Sequence, residues 1–250
     1  MSSAATGRSK RADLRLYVLL LIAIVTAFAI QGIASPGRWE QLILSLLLAA
    51  TALLAVRVAN GSPVVFRVVT VLAVGVIILS LVEAVSGVVE PLSTRIANGL
   101  LVALGPPAIF VGVIRTLRAK QAVTVEAVIG VLCVYVLIGM FFASVYGSIE
   151  RLGGQFFAVG GHEAIASYLY FSFTTLSTVG YGDLTARTNL GHTLSVSEAL
   201  LGQVYLVTVV SLIVANLGRR RQTPPQFGAM AADAAISSGD TPERGAVERG

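Results

Sequence analysis

The chain is poor in the residues on which most enzymes and secreted domains depend. Its single cysteine, Cys133, stands inside an apolar run, so no disulfide framework can form within one chain, and the thiol reads as buried and inert. With two histidines and no His, Cys, Asp or Glu grouping at ligand spacing, the sequence offers neither a metal cluster nor a nucleophile triad; no enzyme and no cofactor are expected. Charge is scarce as well. Asp, Glu, Lys and Arg make up 12% of the 250 residues and hydrophobic residues 55%, a balance that excludes an ordinary soluble domain and makes the bilayer the solvent. A net charge of +5 would suit nucleic acid if the basic side chains lined one polar face. They fall instead in short clusters between apolar runs, so membrane topology accounts for them and no nucleic-acid partner is expected.

Six stretches are long enough to cross a hydrocarbon core, which takes ~20 residues of helix. They run Leu14 to Ala34, Gln41 to Ala59, Val64 to Val88, Ile96 to Leu117, Ala122 to Tyr146 and Leu190 to Leu217. Arg8, Lys10 and Arg11 ahead of the first imitate a signal peptide, but the apolar run is longer than a cleaved signal carries, so a retained span is expected. Basic residues sort by side. Arg8, Lys10, Arg11, Arg15, Arg57, Arg67, Arg115, Arg118, Lys120, Arg219, Arg220 and Arg221 fall on one, and only Arg38, Arg95, Arg151 and Arg187 on the other. Lys and Arg accumulate in short cytoplasmic loops, so both termini are expected in the cytoplasm of a multi-pass plasma-membrane protein. Trp39, Tyr17 and Tyr146, near span ends, suit interfacial anchors.

The segment between the fifth and sixth spans is not a simple loop. Gly147 to Gly161 is Gly-rich and mixed in polarity, whereas Glu163 to Ser177 is apolar and aromatic but too short to span, the pattern of a re-entrant helix. Thr178-Val179-Gly180-Tyr181-Gly182-Asp183 follows. Potassium channels use this Thr-Val-Gly-Tyr-Gly run for the filter whose backbone carbonyls replace the water shell of the ion. For successive carbonyls to point into one pore, alternate residues need backbone angles that side chains resist, and Gly180 and Gly182 have that freedom. The Thr178 hydroxyl adds one more oxygen, while Val179 and Tyr181 are expected to turn into the wall. The negative end of the preceding helix dipole would favour a cation below the filter.

From Ala122 to Gly218 the chain resembles the outer-helix, pore-helix, filter and inner-helix unit of the potassium channel superfamily, of the bacterial ion-channel type. The resemblance implies an all-α membrane protein: six transmembrane helices, with a re-entrant pore helix and selectivity filter between the fifth and sixth. It implies a homotetramer in the lipid bilayer, with Thr178, Val179, Gly180, Tyr181 and Gly182 of four subunits lining the filter and K+, the permeant ion, held by Thr178 to Tyr181. Asp183 and Tyr181 would brace the filter from behind. Tyr170 stands where many relatives place a Trp that partners this aspartate, and Ser177 where a second Thr is common. Gly202 would be the bending point of the inner helix. The implied organisation is a cytoplasmic N-terminus (1–13), a four-helix N-terminal transmembrane domain (14–117), a pore domain (122–217) and a disordered cytoplasmic tail (218–250).

Several acids and one histidine invite a role. Glu198 lies inside the sixth span, where ionisable groups are costly. It faces either the back of the pore helix, with a hydrogen bond to Thr174 or Thr175, or the cavity, where it would tune conduction. Glu126 reads as a neutraliser of Arg118 or Lys120, Glu83 as a solvated or paired acid, and His162 as an exposed loop residue or an external pH sensor. Six spans with the pore between the last two is also the layout of voltage-gated subunits. From Ile96 to Ile114, however, there is no Lys or Arg, and Gly105-Pro106-Pro107 is expected to interrupt the helix. No gating charge crosses the membrane, so a passive potassium channel without a voltage sensor is the leading reading. A weakly selective cation channel and a non-conducting sensor or scaffold are the alternatives.

Overall fold

Apolar runs bounded by Gly, Pro and charge leave the backbone one option in a bilayer, which is to satisfy its hydrogen bonds within each segment. The computed structural model describes residues 2–33, 38–59, 62–86, 92–120, 125–152, 155–158 and 164–219, and among them the chain is helical with no named strand. The helices are α1 (Ser2–Ile33), α2 (Arg38–Val58), α3 (Pro63–Ser86), α4 (Leu92–Lys120), α5 (Val125–Arg151), α6 (Ile165–Leu176) and α7 (Asn189–Arg219). Local chemistry sets several ends. Ser62 accepts the Val65 N–H at 3.3 Å and Pro63 occupies the first turn of α3, where its missing N–H costs nothing. Thr188 caps α7 by accepting the Gly191 N–H at 3.1 Å.

Among the described residues, four segments are long and apolar enough to cross a membrane: Leu14–Ile33, Trp39–Val58, Pro63–Ser86 and Val125–Arg151. They coincide with the first, second, third and fifth expected spans. Within α4 the side chains that the structure describes include an apolar stretch at Ile96–Ile109, and most side chains beyond it, like those of α7 beyond Val209, lie outside the described residues.

The helices pack in order across the bundle. α3 lies against α2 and α4, which also pack on each other; α2 lies against α1, α4 against α5, and α6 rests on α1, α5 and α7. On α3 a single stripe, Val69, Ala73, Val76, Ser80 and Ala84, is buried, while Val68, Val71, Ile78 and Val82 face outward, as suits a helix with lipid on one side.

Three expectations need correction. α4 runs unbroken through Pro106 and Pro107. Two ladder bonds are forgone, yet close packing holds the path: a Cβ on Gly105 would come within 2.6 Å of Leu137 Cδ1 on α5. α5 continues past Tyr146 to Arg151, so Gly147 is helical and buried, not part of a Gly-rich loop. Its continuation is anchored by Glu150, a buried acid that accepts the Phe156 N–H. Tyr17 and Tyr146 are 4% and 0% exposed, so neither is an interfacial anchor; Trp39, 61% exposed, still fits that part. α1 begins at Ser2, and the span within it, Leu14–Ile33, starts where the apolar run does. His162, the side chains of Arg118 and Lys120 that were paired with Glu126, and the tail from 220 onward lie outside the described residues.

Candidate functional site

The aromatic, apolar sequence of α6 buries Tyr168, Leu169, Phe171, Ser172 and Leu176 and carries the chain to a tight turn. At its C-terminus the orphan carbonyls are taken up by the residues that follow. Thr178 N–H donates to Thr175 O at 2.9 Å, and Thr174 O accepts from both Val179 N–H at 2.9 Å and Gly180 N–H at 3.1 Å. The Ser177 hydroxyl adds a bond to Phe173 O at 2.6 Å.

Beyond this turn the backbone alternates. Thr178, Gly180 and Gly182 have φ of 59°, 49° and 82°, all in the left-handed region. Nothing lies within 4 Å of where a Cβ would sit on either glycine, so the angle and not space calls for glycine there. A β-branched residue resists that region. Thr178 holds it because its own N–H and the next two are all tied back to α6. Sequence reasoning missed this third member, since no residue preference announces it.

Behind the loop, the Tyr170 hydroxyl donates to Asp183 Oδ2 at 2.9 Å, and the Tyr170 and Tyr181 rings stack with centroids 6.1 Å apart. The far side of the loop is tied to the segment after α5. Phe157 and Ala186 form an isolated antiparallel bridge, with Ala158 N–H to Thr185 O and Arg187 N–H to Phe156 O both at 2.8 Å. His192 Nε2 lies 2.7 Å from Ala186 O. Tyr146, Phe156, Phe157, Tyr168 and Phe171 pack ring on ring behind α6, a cluster whose stacked and edge-to-face pairs add rigidity to its apolar burial.

Glu198 faces the back of α6 and is fully buried. Its expected partners, Thr174 and Thr175, are not the ones it finds. The Tyr146 hydroxyl donates to Oε2 at 2.6 Å, and Ser172 Oγ meets Oε1 at 2.5 Å while also lying 2.7 Å from Gly139 O on α5. The turn from Thr174 to Ser177 is committed to the loop, so the acid pairs with the hydroxyl one turn earlier. Three helices therefore meet at one carboxyl. Sequence reasoning missed Ser172, Tyr146 and Gly139; the one available signal was that a carboxyl at this depth requires partners.

Gly202 sits where α7 crosses the end of α6. A Cβ there would run into Leu176 O and lie 2.8 Å from Leu176 Cδ1, and α7 is continuous at this point. Close approach thus gives Gly202 a packing reason beside the hinge the resemblance implies. Gly139 is similar, with a Cβ falling 2.6 Å from the Phe173 ring. The same ring meets Phe28 of α1 edge-on at 4.9 Å. One turn beyond Gly202, the Tyr205 hydroxyl donates to Val131 O at 2.7 Å and closes α7 onto α5.

A short helix ending in a left-handed loop, held between two long helices, is the arrangement seen in residues 131–219, which match the family model described as Ion channel. The chain carries an ion-channel domain. No curated protein matches the chain. The matched stretch takes in most of α5 and all of α6, the loop and α7, so every residue of the site just described lies in the ion-channel domain or packs against it. Helices α1 to α4 lie upstream of the match, and α1 and α4 pack against the domain from outside.

Proposed function

We propose that the protein is a potassium-selective channel subunit that assembles as a homotetramer and conducts K+ passively. The observation that carries the reading is the left-handed backbone at alternate positions 178, 180 and 182 within a Thr-Val-Gly-Tyr-Gly run. That alternation is what a column of inward carbonyls requires, and carbonyls from Thr178, Val179, Gly180 and Tyr181 of four chains, with the Thr178 hydroxyls, would replace the hydration shell of the ion. α6 is then the re-entrant pore helix, α5 and α7 the outer and inner helices, and α4 and α7 complete six spans. A pore-lining α7 need not be apolar all round, which accommodates its Ser, Thr and Gln. The basic clusters favour both termini in the cytoplasm of a plasma-membrane protein.

Assembly is supported by what one chain leaves uncovered. Val179 and Tyr181 are 54% and 71% exposed, and Val196, Leu200, Val204 and Val207 form an open apolar stripe on α7. Neighbouring subunits would cover these surfaces. Tyr170, with Asp183, would brace the filter. Its single hydroxyl bond and its partial exposure leave room for a second reading, a cation channel that discriminates weakly. Reversal potentials in mixed potassium and sodium separate the two.

Voltage sensing would require several charges within the membrane field, each worth ~2.3 kcal/mol per 100 mV. α4 has no Lys or Arg from Ile96 to Ile114, so conduction is expected without steep voltage dependence. The direct test is potassium flux into liposomes from wild type beside Gly180→Ala, whose methyl group disfavours the backbone angle found there. Selective flux from wild type and its loss in the variant are expected; equal flux from both would sink the reading.

A further inference from the structure

A chain of oxygens crosses the junction of α5, α6 and α7: Gly139 O, Ser172 Oγ, the two oxygens of Glu198, and Tyr146 Oη. Three direct contacts join it, Gly139 O to Ser172 Oγ at 2.7 Å, Ser172 Oγ to Glu198 Oε1 at 2.5 Å, and Glu198 Oε2 to Tyr146 Oη at 2.6 Å. All are of hydrogen-bond length, so each needs a proton between its two oxygens. The hydroxyls bring only two, one from Ser172 and one from Tyr146, and a backbone carbonyl brings none. The neighbouring Ser195 hydroxyl donates to Gly191 O at 2.8 Å and is spent there. No water fits within a direct contact of this length, and Ser172, Glu198 and Tyr146 are all fully buried. The third proton has one place left, which is the carboxyl itself.

From this count we infer that Glu198 is a proton-binding site, a neutral acid whose bound proton completes the fastening of α7 to α6 and, through Ser172, to α5. With the proton on Oε1, the carboxyl donates to Ser172, Ser172 donates to Gly139 O, and Tyr146 donates to Oε2. Each contact then holds one proton. Without that proton, Ser172 must give up either Gly139 or Glu198, two oxygens face each other with nothing between them, and a carboxylate stays buried without a cation. The groups packed around the acid do not offer one. α5 turns Tyr146 and Tyr135 toward it, α6 turns Ser172, and on α7 itself His192 is held by Ala186 O. Among the described residues no Lys or Arg pairs with it.

Infrared spectroscopy of the full chain in lipid nanodiscs tests this, because a protonated carboxyl and a carboxylate have separate stretching bands. The spectrum of wild type minus that of Glu198→Gln at pH 7 is expected to contain the free-acid band. A difference confined to the carboxylate bands overturns the inference. If the glutamine variant fails to fold, Ser172→Ala takes the acceptor from the acid proton instead, and a free-acid band that persists and moves to higher frequency is expected. A free-acid region that ignores Ser172→Ala overturns the inference as well. The role of the proton as a fastening rests on the channel reading. Raising the pH until the Glu198 band bleaches should cut potassium flux from wild type, with no such step in Glu198→Gln. Bleaching that leaves wild-type flux unchanged overturns that role. Absence of flux at every pH with the band in place would fault the channel reading, and the infrared result would still assign the proton.

Discussion

The helices upstream of the ion-channel domain and the domain itself are both apolar and helical, yet they are specified differently. In α2, α3 and α4 the described buried positions are mostly Ala, Val and Leu, and the interior hydrogen bonds between helices include those of Ser45, Ser80 and Asn98. In α5, α6 and α7 the helices are fastened by a buried carboxyl, two tyrosine hydroxyls, a five-ring cluster and glycines with neighbouring atoms pressed against them. Lipid is as apolar as Leu, so burial alone orders neither region, and small-residue packing and polar bonds must do so. The domain concentrates them behind one loop. That is where a column of carbonyls would have to hold its geometry, whereas the upstream helices present shape to lipid with fewer constraints.

The contrast breaks most sharply at Glu198. Removing it with Glu198→Ala opens a void and takes the acceptor from the buried Tyr146 hydroxyl, at ~1–3 kcal/mol for the unsatisfied group, while Ser172 keeps Gly139 O. A large drop in melting temperature of the purified protein is expected, together with loss of flux. Glu198→Gln sharpens the point. Ser172 has one hydroxyl proton and two oxygen neighbours, Gly139 O and Glu198 Oε1. A glutamine amide keeps an acceptor for Tyr146 and supplies a donor to Ser172, which is then free to donate to Gly139. Melting within about 0.5 kcal/mol of wild type would identify hydrogen-bond number, not charge, as what the site needs. A fall as deep as that of the alanine variant would refute this account of the three-helix junction.

A smaller effect separates the glycines of the two regions. Gly202→Ala drives a methyl group into the Leu176 carbonyl, backbone that cannot rotate aside, and overpacking of this kind costs roughly 1–3 kcal/mol. Gly75 on α3 has nothing within 4 Å of where an alanine methyl would sit, so Gly75→Ala should gain up to about 1 kcal/mol from helix propensity alone. Opposite signs in paired thermal melts are the expected result. Matching shifts would mean that close helix approach does not distinguish the two regions.

Sequence made some of this legible and not the rest. Each apolar run became a helix, because length and composition decide that in a bilayer. The helix ends moved where particular side chains intervened, as at Glu150, which holds the backbone beyond α5. Gly180 and Gly182 were readable because only glycine enters the left-handed region freely; Thr178 was not, since hydrogen bonds to Thr174 and Thr175 impose its angle from outside. Glu198 was readable as a costly group, but its partners depend on the rotation of α6 about its axis, which a single sequence does not encode. The prolines of α4 misled for a related reason. Propensity predicts a break, while packing of Gly105 against Leu137 keeps the helix on its path.

The smallest expected effect lies in the upstream helices. Ser80→Ala deletes the hydroxyl that donates to Ser45 Oγ at 2.8 Å, but Ser45 keeps its bond from Asn98, so no buried partner is stranded. Hydrogen bonds between membrane helices average ~0.6 kcal/mol, and a melting shift near the limit of detection is expected, with flux unchanged. The comparison with Glu198→Ala then tests whether stability in this protein follows the number of groups left without partners, not the number of bonds removed. Both variants delete one polar side chain from a buried network. Only the glutamate strands a buried hydroxyl, that of Tyr146, and opens a void, so an equal loss from the two variants would mean that the upstream helices are as tightly specified as the ion-channel domain.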